Sequence, residues 1–393
     1  MAVKKFVALC IRLIFALLSI LPSQNTIAFL SRQSAHPFDF ALLEPQLKAR
    51  YPDYSFKWAC VAKGGQLGLG LFLRQLYLVA TSKLCLVDGY VPAVSIPKHH
   101  RSACIQMWHA SGAIKKFGYQ CLDTPAGRSS ADAEAYRMHK GYDYVIAGMQ
   151  GAADAFSEAF DIEAEKILPL GLPRLDYLFS HTFAEQRAQD TAAIVKKLDI
   201  KEGSKTRLVL YAPTFRKGNA NPHWLQDNVT ELSQAFANQD VIIVVAGHPL
   251  EEALVPVNQG LSGVPVVLLG VPTIEAIPLV DLVVSDYSAI ALDAGAYSKQ
   301  VYFYVPDIEE YRQSPGLNID PLNQFSDCAF TSAHDLALAI QVPQASQATQ
   351  ALQASQSSQQ SRPNTFASYM DEYAGNVKGT SINAIMQLIS GII

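Results

Sequence analysis

Residues 280–294 read VDLVVSDYSAIALDA, and this stretch decides the fold class. An uninterrupted apolar run ends in the polar turn 285–288, and a helical pattern follows directly. Apolar residues at consecutive positions indicate a strand that is buried on both faces, which is typical of parallel sheets covered by helices. The stretch is therefore one strand–turn–helix unit of a doubly wound fold.

The same pattern recurs along the chain in two series. The first series predicts strands at residues 26–31, 55–61, 84–88, 103–108, 144–147 and 167–170. The second predicts strands at residues 208–211, 241–246, 264–269, 282–285 and 301–304. Helical patterns separate the strands, which is the arrangement that produces parallel sheets. The sequence therefore predicts an α/β fold with two Rossmann-like, doubly wound domains facing a cleft.

The remaining segments complete the predicted organisation. Residues 23–180 form the N-terminal Rossmann-like domain and residues 205–340 the C-terminal one, with a linking helix at 181–204. Residues 341–363 are rich in Gln, Ala and Ser and nearly free of charge, which predicts a polar surface insertion. Helical periodicity returns in residues 364–393, where we expect a C-terminal helix that packs back on the body.

Residues 1–22 contain the one long apolar run, Phe6–Leu21, which follows Lys4 and Lys5 and includes Arg12. Its 16 residues fall short of the roughly 20 needed to cross a bilayer core. The pattern fits a signal peptide and a helix lying on the membrane surface equally well, and a membrane-spanning helix less well. In the second case the basic residues would face anionic lipid.

Composition narrows the classes of function. The 393 residues carry a formal net charge of −4, which excludes a globally basic surface for nucleic acid. The six cysteines include no CxxC pair, and no Asp-x-Asp pair occurs that would hold a metal-bound diphosphate. We therefore expect no metal, and any phosphate must be held by His, Arg, Lys and helix N-termini.

Two histidines each follow a predicted strand. His109 comes directly after the strand that ends at 108, and a loop of small residues then leads to Lys115 and Lys116. His248 follows the strand that ends at 246 in the other domain. A single histidine is more often structural, but two at strand ends in opposite domains favour a site at the cleft.

Polar residues follow the strands of the C-terminal domain as well. Ser285, Asp286, Tyr287 and Ser288 end one strand, and Ser288 is expected to cap the next helix and form an anion site. Asp293, one turn further on, meets ligand hydroxyls or makes a local cap.

Three more candidates come directly after strands. Thr214 and Arg216 follow one strand of the second series, and Arg174 follows the last strand of the first. The arginines offer planar forks for phosphate or else form surface salt bridges.

These residues resemble the CDP-glycerol glycerophosphotransferase family, the primases and polymerases of teichoic acids and related polymers. The resemblance runs from about residue 27 to 389. It is carried in order by Ser31–Ser34, Trp108–His109, Gly171–Asp176, Tyr211–Arg216, His248–Pro249, Asp286–Ser288 and Phe303–Tyr311.

The resemblance implies a GT-B fold without metal or cofactor. It implies transfer of glycerol phosphate from CDP-glycerol to a hydroxyl of a lipid-linked glycerol-phosphate or glycan acceptor, with release of CMP, in teichoic-acid-like or capsular polymer synthesis. It also implies a peripheral enzyme on the cytoplasmic face of the plasma membrane, bound to the inner leaflet. For residues 1–22 it therefore favours a membrane-surface helix over a signal peptide.

The resemblance also implies roles for single residues. His109 matches the family's base, and His248 matches the histidine that contacts the donor phosphates. Asp286, Tyr287 and Ser288 match the motif around the diphosphate. The other candidates are expected to bind the donor (Thr214, Arg216, Ser285 and Asp293) or the acceptor (Lys115, Lys116 and Arg174).

Two positions depart from the family pattern. Ala110 replaces the glycine that follows the histidine in the family, so the motif does not define the identity of the acceptor. Ala289 replaces a serine and removes one hydroxyl from the diphosphate motif. CDP-ribitol or a nucleotide sugar remains an alternative donor on the same fold. An alternative from another functional class is a membrane-bound binding module without catalytic activity.

Overall fold

The computed structural model describes residues 2–61, 66–198, 206–214, 216, 221–246, 263–340 and 364–393. The chain divides into two compact units. The first comprises Met1–Ala184, Arg312–Asn318 and Tyr373–Ile393, and the second comprises Glu185–Tyr311 and Ile319–Glu372. Each unit contains a six-stranded sheet.

The sheet of the first unit is entirely parallel. Its strands are β1 (Gln24–Ser31), β2 (Ser55–Cys60), β3 (Ser82–Val87), β4 (Ala103–Gln106), β5 (Tyr144–Ile146) and β6 (Ile167–Leu168). They lie in the order β2-β1-β3-β4-β5-β6. The helices of this part are Ala2–Leu18, Phe38–Arg50, Leu69–Thr81, Pro92–Ser95, Ser130–Ala135, Ala153–Phe160, Pro173–Phe179 and Ser381–Ser390.

The sheet of the second unit is parallel as well. Its strands are β7 (Arg207–Ala212), β8 (Val241–Val245), β9 (Val266–Leu268), β10 (Leu282–Ser285), β11 (Gln300–Tyr304) and β12 (Ala329–Phe330). They lie in the order β12-β11-β10-β7-β8-β9. The helices of this part are Ala184–Lys197, Trp224–Ala235, Thr273–Ala276, Ile290–Ala296, Ile308–Gln313, Pro321–Gln324, Ala333–Ala339 and Thr365–Tyr373.

The two parallel sheets confirm the predicted α/β fold, and the strand interiors are buried as expected for sheets covered on both faces. In β1, Ile27, Phe29 and Leu30 have no exposed surface, and Val283 of β10 has none. Each such side chain contributes roughly 1.5–3 kcal/mol to folding. The two-residue strand β12 is the one strand that the sequence pattern did not predict, because its apolar run is too short to be periodic.

The helix Ala2–Leu18 presents apolar side chains to the outside of the first unit. Phe6 is 65% exposed, Leu13 59% and Leu17 68%, whereas Phe15 is buried against the body. Among the described residues, none of the helices combines the length and the apolar character needed to cross a membrane.

The basic residues of this helix contact the first unit. Lys4 forms an ion pair with Asp132, and Lys5 Nζ lies 3.1 Å from Glu134 Oε1. Arg12 Nε donates to a backbone carbonyl at 3.1 Å. This differs from the expectation that the three residues face lipid, because carboxylates of the helix Ser130–Ala135 lie closer.

The helix Ser381–Ser390 completes the first unit. The backbone N–H groups of Ser381 and Ile382 each donate to the Asp176 carboxylate at 2.8 Å, which satisfies two donors at the helix start. Ile385 and Ile389 are fully buried in the core that also contains the central strands. The tract 341–363 lies outside the described residues.

Candidate functional site

His109 lies just beyond β4, at the carboxyl edge of the first sheet. β4 ends at Gln106, and Trp108 adopts a left-handed backbone conformation with φ of 57°. This conformation is sparsely populated by residues other than glycine and turns the chain sharply. The side chain of His109 is exposed as a result, although the strand before it is buried.

A hydrogen bond determines the tautomer of His109. Its Nδ1 lies 2.8 Å from the backbone carbonyl oxygen of Asp88. Because a carbonyl can only accept, Nδ1 carries the proton and donates it. Nε2 of the neutral ring therefore has a free lone pair, which is the arrangement that a general base requires.

The surroundings keep His109 neutral. Although part of the side chain faces solvent, protein atoms surround much of the ring, and this loss of solvation lowers the pKa of His109 to about 4. The hydrogen bond to the Asp88 carbonyl opposes this effect, and the charges of Arg174 and Lys115 add to it. At neutral pH the imidazole can therefore accept a proton from a bound hydroxyl.

A cavity of about 180 Å³ opens beside His109. Its walls come from the segments that follow β1, β3, β4 and β6, where ligands bind in open α/β sheets. The lining residues are Gln33, Ser34, Pro37, Phe38, Asp39, Asp88, Trp108, His109 and Arg174.

Arg174 forms an ion pair with Asp39 on the cavity wall. Arg174 Nε lies 2.9 Å from Asp39 Oδ2, and the Arg174 backbone nitrogen lies 2.9 Å from Oδ1. The side chains are 16% and 5% exposed, respectively. The sequence allowed two roles for Arg174, a guanidinium fork that binds phosphate or a surface salt bridge. In the structure Arg174 forms a largely buried ion pair with Asp39 beside His109.

Asp88 is a buried carboxylate in the same wall. Ser31 Oγ donates to Asp88 Oδ2 at 2.9 Å, while Oδ1 has no hydrogen-bond partner among the described residues. Burial raises the pKa of Asp88 to about 7. Sequence reasoning did not single out Asp88 or Asp39, although Asp88 is the last residue of a predicted strand, where ligands are expected.

Gln106 connects the loop that carries His109 to the loop that carries Asp88, whose carbonyl accepts the hydrogen bond from His109. Its side-chain Oε1 accepts from the Trp108 backbone N–H at 2.8 Å, and its Nε2 donates to the Gly89 carbonyl at 3.0 Å. Gln106 therefore fixes the distance between His109 and the Asp88 carbonyl and acts as a positioning residue. A buried glutamine in an apolar strand is the sequence signal that would have identified it.

The backbone of the lysine loop is held within the first unit. Lys115 forms an isolated antiparallel bridge with Leu317, and the Lys116 N–H donates to the Gly316 carbonyl at 2.9 Å. Both lysine side chains are half-buried. Lys115 is close enough to His109 for its charge to act on the ring.

In the second unit, Asp286 is the centre of a hydrogen-bond network beyond β10. Thr214 donates to Asp286 Oδ1 from its backbone nitrogen at 2.8 Å and from its hydroxyl at 2.9 Å. The Tyr287 N–H donates to the same oxygen, and Arg216 Nη2 lies 2.8 Å from Oδ2. A fully satisfied buried network of this kind makes the turn rigid.

Arg216 is enclosed by carboxylates and aromatic rings. Its Nε lies 2.7 Å from Asp307 Oδ2, and its guanidinium carbon lies 4.1 Å from the Trp224 ring and 4.5 Å from the Tyr311 ring. Burial alone would lower the pKa of Arg216, but Asp286 and Asp307 outweigh it and raise the pKa. The sequence did not single out Asp307, although it lies in the segment FYVPDIEEY that carries part of the resemblance.

The other predicted residues of this turn are placed differently. Ser285 is buried and its hydroxyl donates to a β7 carbonyl at 2.8 Å, and Asp293 is buried within the helix Ile290–Ala296. The expectation that Ser288 caps this helix is wrong. The helix begins later than predicted, and Ala289 takes the N-cap position without a side-chain hydrogen bond.

The predicted site residues thus fall into two groups. His109, Lys115 and Arg174 are near one another in the first unit, and Thr214, Arg216, Asp286 and Tyr287 are in contact in the second. His248 lies outside the described residues, so its role stays a prediction. In the part of the chain that the structure describes, no group of three or more His, Cys, Asp or Glu side chains could hold a metal ion.

The fold resembles that of a solved wall teichoic acid polymerase. The chain superimposes on the wall teichoic acid polymerase TagF with a TM-score of 0.68 at 18% identity, covering 99% of this chain and 95% of that one. Residues 13–376 match the family described as CDP-Glycerol:Poly(glycerophosphate) glycerophosphotransferase, and the chain belongs to this family.

Two curated relatives carry names that differ in the alditol. The chain is 31% identical over 267 residues to a teichoic acid ribitol-phosphate primase of Bacillus spizizenii, covering 63% of this chain and 64% of that protein. It is 26% identical over 273 residues to a teichoic acid glycerol-phosphate primase of Bacillus subtilis, covering 69% and 68%. The matched region thus spans about two thirds of each relative's length.

Proposed function

We propose that this chain transfers glycerol phosphate from CDP-glycerol to a hydroxyl of a lipid-linked or polymeric acceptor and releases CMP, in the synthesis of a teichoic-acid-like or capsular polymer. The observation that carries the proposal is the neutral, exposed imidazole of His109, with Nδ1 anchored and Nε2 free, in a chain of this family. The two-sheet architecture and the likeness to TagF support a GT-B type fold.

In the proposed reaction, the acceptor hydroxyl attacks the β-phosphorus of CDP-glycerol. A new P–O bond forms to the acceptor, and the bond between the β-phosphorus and the bridging oxygen breaks, so that CMP leaves with that oxygen. His109 Nε2 takes the hydroxyl proton. Transfer of this kind depends on positioning and on stabilising charge more than on covalent chemistry.

The acceptor is assigned to the first unit. Arg174 lines the same cavity as His109, and its ion pair with Asp39 holds it in position to contact the acceptor. Lys115 and Lys116 supply positive charge for an anionic acceptor on the neighbouring loop, whose backbone is fixed by its bonds to residues 316–317.

The donor diphosphate is assigned to the second unit and to His248. In this proposal Asp286 does not contact phosphate itself, because backbone and side-chain donors already occupy it. It holds Thr214, Arg216 and Tyr287 in place, so that Ser288, which is half-buried, meets the diphosphate.

CDP-ribitol is the second candidate donor. The 31% identity to a ribitol-phosphate primase favours it specifically. Both donors present an alditol phosphate on the same CDP leaving group, and the proposed role of His109 is the same for each.

We further propose that the protein is peripheral on the cytoplasmic face of the plasma membrane, where CDP-linked donors are available. The exposed apolar residues of the helix Ala2–Leu18 support a location at the membrane surface. Leu69, 73% exposed on the helix Leu69–Thr81, adds to this apolar surface of the first unit.

The experiment is a donor panel. Release of CMP from CDP-glycerol and CDP-ribitol, and of UDP from a UDP-sugar, is measured with a lipid-linked glycerol-phosphate acceptor or a lipid-linked glycan acceptor. We expect acceptor-dependent CMP release from a CDP-alditol. Release of UDP from the UDP-sugar, with no CMP released from either CDP-alditol, would indicate sugar transfer and refute phosphate transfer. Tight CDP-glycerol binding without release would indicate a binding module.

A further inference from the structure

Two arginines lie near the aromatic ring of Tyr90, close to the His109 cavity. The guanidinium carbon of Arg128 is 5.1 Å from the Tyr90 ring centroid. Arg32, in the loop after β1, is half-buried, and its Nε is buried without a hydrogen-bond partner. Within the described part of the chain, neither arginine forms an ion pair with a carboxylate.

Both arginines lie around Tyr90, and no carboxylate among the described residues pairs with either. Burial and then the charge of Arg128 lower the pKa of Arg32. The nearby Asp132 is engaged by Lys4. An anion placed between the arginines would satisfy the buried Nε–H and offset the effect of the Arg128 charge.

The loops that carry these residues also line the His109 cavity. Arg32 directly precedes Gln33, and Tyr90 lies two residues after Asp88, and both Gln33 and Asp88 line the cavity. A Cβ added at Gly89 would lie 3.2 Å from Gln33 Nε2, so the two loops are in contact. Arg32 and Tyr90 therefore belong to the two loops that form walls of the cavity beside His109.

Ring contacts connect the arginines to the base from the other side. The Tyr90 ring centroid lies 5.4 Å from that of His139, which in turn lies 6.0 Å from that of Trp108. Trp108 contacts His109 with a centroid distance of 4.2 Å. A continuous series of ring contacts thus runs from Arg128 to His109.

We propose that Arg32 and Arg128 form a phosphate subsite that binds a phosphate group of the acceptor. The inference rests on the proposed function, because a glycerol-phosphate chain or a lipid-linked acceptor carries phosphate close to its reacting hydroxyl. Two planar guanidinium forks match the oxygens of a phosphate diester or diphosphate. The subsite would hold that group while the hydroxyl reaches His109 Nε2.

The test compares Arg32→Gln, Arg128→Gln and the double variant with Arg50→Gln, which alters an exposed arginine of the same unit. We expect the acceptor KM to rise about tenfold in each single variant and about a hundredfold in the double variant, with the donor KM unchanged. Arg32→Lys, which keeps the charge but loses the fork, should give an intermediate KM. Arg50→Gln should behave as wild type.

Binding of inorganic pyrophosphate to the full chain, measured by calorimetry, gives a readout that is independent of turnover. Weaker binding in Arg32→Gln and Arg128→Gln but not in Arg50→Gln would support the subsite, and missing CMP release would then count against the proposed function alone. Normal CMP release with an unchanged acceptor KM would overturn the subsite and leave the proposed function intact. If the variants lost only their binding to phosphatidylglycerol vesicles, the acceptor subsite would also be overturned, since the arginines would then bind lipid headgroups.

Discussion

The substitution Asp88→Asn is expected to stabilise the protein, and increasingly so at higher pH. Asp88 is 3% exposed, and one carboxylate oxygen has no hydrogen-bond partner among the described residues. Burial raises its pKa from 3.8 to about 7. A carboxyl group with a raised pKa contributes its full stability below pH 3.8 and loses it as the pH rises through 7.

The magnitude follows from the two pKa values. The difference between 3.8 and about 7 corresponds to a cost of about 4 kcal/mol once Asp88 is ionised in both states. Between about pH 5.5 and about pH 8, the wild type should lose about 2 kcal/mol of this stability. The side-chain oxygen of asparagine can still accept the hydrogen bond from Ser31. Burying its amide nitrogen costs the same free energy at both pH values, so this cost does not affect the difference between them.

The assay is urea unfolding of the full chain at both pH values, followed by circular dichroism. Asp53→Asn, at an exposed carboxylate of the same unit, serves as the control for charge removal. We expect the stability advantage of Asp88→Asn over wild type to grow by about 2 kcal/mol from the lower to the higher pH. Equal pH dependence in wild type and Asp88→Asn would show that Asp88 titrates normally and would refute the reasoning.

Three further expectations concern other parts of the molecule. Arg216→Lys should lower the free energy of unfolding by about 3 kcal/mol, because lysine cannot bind Asp286 and Asp307 at once or stack on the Trp224 ring. An unchanged midpoint in chemical unfolding would contradict this. The double variant Leu13→Glu and Leu17→Glu should shift the protein from the membrane to the soluble fraction, whereas Leu338→Glu, at an exposed leucine of the second unit, should not. Gln106→Leu should lower kcat with little change in the donor KM, because it releases the loop that positions the base; a proportional loss of folded protein would indicate a structural role instead.

The fold was largely predictable because parallel strands are continuous apolar runs. Long strands such as β1 and β7 stand out as buried segments between helical patterns. The membership of Tyr373–Ile393 in the first unit was not predictable, because Asp176 accepts hydrogen bonds from residues more than two hundred positions away. Local periodicity carries no information about such contacts.

The positions of His109 and Asp286 just beyond strands were predictable, because each belongs to a motif that ends an apolar run. The site was not predictable where a residue acts through a neighbour. Gln106 acts through backbone groups, and its one sequence signal is that it is a polar residue in an apolar strand; Asp307 acts through the guanidinium of Arg216. The capping role expected for Ser288 is wrong because the first residue of a helix depends on backbone angles that a sequence pattern does not define.

If His109 is the general base, its removal should lower turnover without weakening the binding of the donor. In His109→Ala and His109→Gln, kcat for acceptor-dependent CMP release is measured beside the Kd for CDP-glycerol, with His99→Ala at an exposed histidine as control. We expect kcat to fall by about 10²–10⁴-fold with the donor Kd nearly unchanged. A near wild-type kcat in either variant, with the same donor and acceptor, would contradict the assignment of His109 as the base.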